Sequence, residues 1–358
     1  MEIVREAWRD FVSGTTRGLV ALAVFALVVA ALGGVAVRSV VGLTQEAARF
    51  RAAGGSIAML AAPGGIDGAQ CDALVSAPGV VAAGALRNGP ELELAVLPSR
   101  RLGTFEATAG FGRLLDIDRG SEGTGLGLWL AADLASVLGI GPGSAVGLAS
   151  GDSARVDGVY QYPNDGRDPM LTYTAIAQVP AVGVFDACWA DLWPDTARGS
   201  SLMMLAVLTD AANGGEAQVG IDQLNSTMGT VFNPRDRFEA LPLQVLGLLG
   251  LVFGAVAGFV QVRVRRLQIA SSLHAGSSKA TQMLQILTET AIWLVPAILL
   301  TLPITRWLAI YANPDPPWVA WCPALVVTAL AAIGVLIGSL TAVLTTREHH
   351  LYRYFKAR

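Results

Sequence analysis

The chain has 358 residues, of which 53% are hydrophobic and 15% charged, and its formal net charge is −3. A soluble domain carries about 25% charged residues, so so apolar a chain (mean hydropathy +0.51) is expected to lie partly in a membrane, and so small a charge argues against a nucleic-acid partner. Cys71, Cys188 and Cys322 form no C-x-x-C pair and stand near no histidine cluster, which argues against zinc and haem centres.

In chain order, residues 1–18 come first. "MEIVREAWRDF" places Ile3, Val4, Ala7, Trp8 and Phe11 on one helical face, which predicts a cytoplasmic interfacial helix lying along the membrane. No charged residue occurs between Arg17 and Arg38, Glu239 and Arg263, Glu289 and Arg306, or Asp315 and Arg347. A bilayer core of about 30 Å needs about 20 apolar helical residues. These gaps predict membrane helices at 19–41, 241–263, 283–311 and 321–345, the third with Glu289 in its first turns. The first span exceeds a signal-peptide h-region and has no clean A-x-A site before Arg38, so it is read as retained.

Basic residues cluster at three places: Arg5, Arg9 and Arg17; Arg263, Arg265, Arg266 and Lys279; and Arg347, Arg353, Lys356 and Arg358. By the positive-inside rule both termini, the elbow 264–282 and the tail 346–358 are cytoplasmic. Residues 42–240 and the loop 312–320 are then outside. The fold class expected is membrane α-helical, four transmembrane helices, with a large extracytoplasmic α+β domain between helices 1 and 2.

Within 42–240, "ELELAVLP" (91–98) alternates like a strand, and "LGLWLAADLASVLGI" (126–140) carries a helical stripe stopped by "GPG". "SAVGLAS" and "SARVDGVYQYP" predict a hairpin across "GDSA". "SLMMLAVLTD" (201–210) is a candidate buried strand, "EAQVGIDQLNSTMG" (216–229) a short helix, and "PNDGRDP" (163–169) an exposed loop. Asp116, Asp118, Asp152, Asp157 and Asp165 are read as surface carboxylates. Cys71 and Cys188 face an oxidising compartment, where a disulfide and two separate thiols both remain open.

Catalytic patterns are missing. No G-x-S-x-G, H-E-x-x-H or P-loop occurs, and His274, His349 and His350 all fall on the cytoplasmic side, leaving the outer domain without a histidine base. A membrane-anchored enzyme is therefore disfavoured. The chain is expected to bind no cofactor directly.

The elbow and its flanks resemble a family. "RRLQIASSLHAGSSKATQ" is similar to the coupling elbow of permeases of the MacB/FtsX type, R-R-x-E-I-x-x-L-R-A-L-G-A-S-R-R-x-I followed by a Glu in the next span. Arg265, Arg266, Ile269, Gly276, Ser278 and Lys279 match it, and Glu289 stands at the family Glu. "CDALVSAPGV" (71–80) and "LAADLASVLGIGPGSAVGL…VDGVYQYP" resemble that family's outer domain. The chain departs at Gln268, at Leu273-His274-Ala275, and at Ser271 and Ser272.

The resemblance implies a permease subunit of an ABC transporter whose ATPase, with its ATP and Mg, is a separate chain docked on Arg265, Arg266, Gln268, Ile269, Leu273, His274, Gly276, Ser278 and Lys279. It also implies a second permease copy or paralogue and mechanotransmission to the outer domain. The output is either export of a hydrophobic compound or peptide, or FtsX-like activation of an outer cell-wall hydrolase. From charge alone, the elbow reads first as an ordinary positive-inside loop with lipid anchors, and it is the family resemblance that makes it a coupling elbow. Gly276 permits a sharp turn, and Ser277 or Ser278 caps the next helix. Glu289 is either a functional intramembrane carboxylate or one near the cytoplasmic end that snorkels to the interface or favours the helix N-terminus.

Overall fold

The computed structural model describes residues 17–96, 101–115, 117–119, 127–194, 196–208, 219–276 and 278–346. The expected interfacial helix and the basic tail, apart from Arg17, Gly18 and Thr346, lie outside them. The helices are α1 (Gly18–Ala52), α2 (Gly68–Ala73), α3 (Ala132–Leu138), α4 (Thr196–Met203), α5 (Pro234–Glu239), α6 (Leu243–Arg263), α7 (Arg266–His274), α8 (Lys279–Ile310) and α9 (Pro317–Thr345). The strands are β1 (Ile57–Asp67), β2 (Val80–Asn88), β3 (Leu92–Glu93), β4 (Arg101–Leu102), β5 (Thr104–Ala107), β6 (Asp118–Arg119), β7 (Leu128–Ala131), β8 (Ala145–Gly147), β9 (Ser153–Tyr160), β10 (Ala175–Gln178), β11 (Val184–Leu192) and β12 (Gly220–Gln223). Two compact units form, one from 1–46 with 235–358 and one from 47–234.

The helical unit holds four helices long and apolar enough to cross a membrane, at Gly18–Ala52, Pro234–Arg263, Lys279–Ile310 and Pro317–Thr345. They extend beyond the expected spans: α1 runs past residue 41 to Ala52, and α8 starts at Lys279 rather than 283. Helix α8 runs unbroken through Pro296 and Pro303. Helices α6 and α9 meet through glycine. A Cβ on Gly254 would lie 2.0 Å from the Ala331 carbonyl oxygen, and one on Gly338 would lie 1.9 Å from that of Ala255. Backbones that close exclude any side chain, which is how helices associate where lipid removes the hydrophobic drive between them. Phe25 and Val29 of α1 fill the remaining face with Trp293 and Ala297 of α8 and Ala331 and Val335 of α9.

The sheet unit is α+β. Its ten-stranded sheet runs β12-β1-β11-β2-β5-β10-β7-β9-β6, with β8 paired to β9. Most pairs are antiparallel, while β5–β10 and β7–β9 are parallel. From Cys188 onward, period-2 alternation divides β11 between two cores: Trp189 enters one with Phe111, Trp129 and Tyr160, and Cys188, Ala190 and Leu192 enter the other with Leu60, Leu74 and Met203. Cys71 and Cys188 form a disulfide inside the second core. The last carbonyl of α1 and the one that follows it are capped by side chains. Arg167 Nη2 donates to Ala52 O (3.2 Å) and Asn225 Nδ2 to Ala53 O (3.0 Å), supplying donors that a helix C-terminus lacks.

The β8–β9 hairpin forms as the alternation predicts, with 163–168 as a loop. Five local expectations are corrected. Leu128–Ala131 is a strand and only Ala132–Leu138 is helical; four consecutive buried residues read alike in a buried strand and a buried helix. Residues 201–208, the described part of that stretch, are not a strand: α4 and a 3₁₀ turn end there, burying Met203 and Ala206 three positions apart. Gly220–Gln223 is an edge strand on β1 rather than a helix. Of the described residues 91–96, only Leu92–Glu93 is regular strand, with Leu94 bridged to Leu148. Asp157 is no surface carboxylate; it is 2% exposed, accepts from Gly127 N (3.0 Å) and pairs with Arg155 (3.3 Å).

Candidate coupling elbow

The elbow lies wholly in the helical unit. Helix α6 ends at Arg263, a single turn intervenes, and α7 begins at Arg266. Gly276 follows at φ +91, a left-handed backbone conformation that favours glycine. Ser278 then caps α8, its Oγ accepting from Thr281 N at 3.1 Å. Both expectations for this turn hold, with Ser278 as the cap; Ser277 lies outside the described residues.

The structure joins two residues that the sequence placed in different roles. Arg265 Nη1 donates to Glu289 Oε2, with the two side chains 15% and 8% exposed. Gln285 Nε2 donates to the other carboxylate oxygen at 3.2 Å, and Gln268 Oε1 accepts from Arg265 Nε at 3.1 Å. Glu289 thus turns inward onto a cation and does not snorkel. Gln282, 5% exposed, donates to Ile269 O (2.9 Å) and to Ser272 Oγ (2.6 Å). These groups line a cavity of about 140 Å³ bounded on its apolar side by Val262, Ile286 and Trp293. Removing one partner of a buried pair strands the other charge, so the pair fixes the turn that starts α7 to α8.

One site residue moves from its expected role. Ile269, read as a docking anchor, is 8% exposed and packs with Val262, Ile286, Ala342 and Val343. It holds α7 onto the bundle and is not offered to a partner. The side chain of Leu273 lies outside the described residues. The outward positions are Val264, Gln268, Ser271, His274 and Ala275, of which 264, 268, 271 and 275 repeat at helical spacing. Gly276, Ser278 and Lys279 are exposed beside them, whereas Arg265 and Arg266 are half-buried. Ser271 and Ala275 stood out in the sequence only as departures from the family elbow; the i, i+3, i+7 pattern from Gln268 was the available signal, masked by its lack of large apolar residues.

The sheet unit carries perturbed groups but no catalytic constellation among the described residues. Burial pushes the Asp72 carboxyl up against the hydrogen bond from Thr108. Burial likewise raises the Tyr160 and Tyr162 phenols. The hydrogen bond from Arg167 holds Asp165 below the usual carboxylate range. Among the described residues, no group of three or more His, Cys, Asp or Glu could hold a metal ion.

No family model matches the sequence, and no curated protein does. Among solved structures, the chain is similar to the periplasmic region of MacB from Actinobacillus actinomycetemcomitans, at 10% identity and TM-score 0.35 over 54% of this chain and 96% of that one. It is also similar to the extracellular domain of the ABC-type transporter YknZ from Gram-positive bacteria, at 13% identity and TM-score 0.31 over 46% and 99% of the two chains.

Proposed function

We propose that the chain is a permease subunit of the MacB/FtsX type, which couples ATP hydrolysis by a separate ABC ATPase to movement of its sheet unit. One observation carries this reading. A short helix, α7, is braced to α8 by the Gln282 bonds and, through the turn before it, by the Arg265–Glu289 pair, while presenting Gln268, Ser271 and His274 outward. A lipid-anchored loop needs no such bracing. A lever that receives a push from a soluble partner does, because a loosely held helix absorbs displacement instead of passing it on.

The orientation proposed puts both termini in the cytoplasm and the sheet unit outside. It is supported by the distribution of Lys and Arg and by the Cys71–Cys188 disulfide, since disulfides persist in oxidising compartments. We take the work done to be mechanotransmission leading to export of a hydrophobic compound or peptide, by a dimer with a second copy or paralogue.

The test is co-expression with an ABC ATPase of the same cell. The isolated chain is expected to hydrolyse no ATP. Ser271→Arg, on the outward face, should weaken co-purification of the ATPase about tenfold, as expected for a change at an interface centre. Val137→Arg, on the exposed surface of the sheet unit, should leave it unchanged. Full ATPase retention by both Ser271→Arg and His274→Glu would remove the elbow from the interface.

A further inference from the structure

Helices α1 and α8 leave an open groove between them, lined by Ala30, Ala31, Gly34, Val35 and Leu308, with Arg38 at one end. Gly34 makes the groove possible: a Cβ there would press on Leu308 Cδ1 at 3.1 Å. From Ala30 to Ser39 the groove follows nine helical steps, about 13.5 Å at 1.5 Å each. Arg38 stands twenty residues from Gly18, about 30 Å along the helix, which is one hydrocarbon thickness. Its guanidinium therefore lies at headgroup height, in the leaflet occupied by the C-terminal half of the span.

Arg38 is exposed and makes no hydrogen bond or ion pair among the described residues. It is the one charged residue between Arg17 and Glu46, and Glu46 is engaged by Arg237. The other wall, α8, carries no carboxylate after Glu289. A second copy laid on this face would bring another Arg38 and no acid, so like charge opposes self-association here. What complements the groove is an apolar chain ending in an anion at the bilayer surface.

We propose that this groove binds one anionic phospholipid, its acyl chain along Ala30–Val35 and Leu308 and its phosphate on Arg38. The proposal needs α1 to span a membrane and is independent of ATPase coupling.

The experiment uses the full chain in nanodiscs of equal phosphatidylglycerol and phosphatidylcholine, released into native mass spectrometry. One phosphatidylglycerol is expected to stay on each chain in preference to phosphatidylcholine. Arg38→Gln should lower that preference about tenfold, the worth of a charge-assisted hydrogen bond, while Arg38→Lys should keep most of it. Gly34→Leu should fill the groove and lower retention of both lipids. Equal retention of the two lipids by the unmodified chain would overturn the proposal whether or not any variant folds. So would unchanged preference in Arg38→Gln, or efficient disulfide cross-linking of Val35→Cys between two copies.

Discussion

The two units are held together by opposite means. The sheet unit buries large side chains: Trp129, Trp189, Tyr160, Phe111 and Phe185 are essentially inaccessible, and a disulfide ties α2 to β11. The helical unit removes side chains at its tightest contact, where Gly254, Gly258, Gly334 and Gly338 let α6 and α9 touch backbone to backbone. Water drives the first kind of packing by expelling apolar surface. A bilayer supplies no such drive between apolar helices, so close van der Waals contact and a few polar links must serve. Polar links are accordingly specific in the helical unit, and the Arg265–Glu289 pair and the Gln282 bonds are those that brace the elbow.

The strongest way to separate the units is to cut the disulfide. Cys71 and Cys188 are 117 positions apart, and closing so long a loop is worth about 4–5 kcal/mol. Cys71→Ser with Cys188→Ser should lower the unfolding midpoint of the sheet unit, read by hydrogen exchange in β1, β2 and β11, and leave α6 and α9 protected. Loss of protection in α6 and α9 as well would break the division drawn here.

Next in size is the buried pair. Glu289→Ala or Arg265→Ala should cost about 3–5 kcal/mol by stranding the partner's charge. The double change Arg265→Met with Glu289→Leu should recover most of that, because an apolar pair fills the same space without desolvating charge. If the double variant regains stability but not ATPase stimulation by the reconstituted complex, the pair serves coupling beyond support. Ile269→Asp belongs to this class, as it places a charge among Val262, Ile286 and Val343. It should unfold the elbow, and any loss of partner binding would follow from that.

Smaller again is the glycine seam. Gly254→Ala should cost about 1–3 kcal/mol, since even a methyl forces the two helices apart. Gly42→Ala, on α1 with nothing within 4 Å of its added Cβ, should be neutral or slightly stabilising through helix propensity. Thermal unfolding in detergent compares them. Equal midpoints would mean that close approach does not hold the helical unit.

The seam was legible in principle, as Gly250, Gly254 and Gly258 recur every fourth residue. Hydropathy reports the length of a span and not its face, so that pattern was passed over. The four spans, the β8–β9 hairpin, the Gly276 turn and the Ser278 cap were readable because each depends on local composition or backbone freedom. The Arg265–Glu289 pair was not, because 24 residues and a reversal of chain direction separate its members. Ile269 was misjudged for a related reason. An apolar residue on a short helix marks a buried face, and sequence alone does not say whether the bundle or a partner buries it. In the sheet unit, Leu128–Ala131 and Gly220–Gln223 owe their strand state to neighbours distant in sequence, β9 and β10 for the first and β1 for the second.

The smallest expected effect concerns two carboxylates of the sheet unit with opposite pH signatures. Asp165 is bound by Arg167 through two short contacts, 2.9 Å to Nε and 2.8 Å to Nη2, and its pKa lies below the ordinary 3.8. A depressed folded pKa adds stability that is fully present above the unfolded value and is lost as pH falls through the folded one. Asp72 is pushed above 3.8 by burial, so its contribution is present below the unfolded value and declines as pH rises through the folded one. Hydrogen exchange in the sheet unit, followed across acid pH, should therefore show Asp165→Asn flattening the loss of protection below about pH 3.8, and Asp72→Asn flattening a decline above it. Arg167→Ala should remove the first dependence and also expose Ala52 O, the helix carbonyl that Arg167 caps. The protection lost at neutral pH should be about 1 kcal/mol, one hydrogen bond at a partly exposed site. If Arg167→Ala leaves the acid limb in place, the Asp165 carboxylate is not its source.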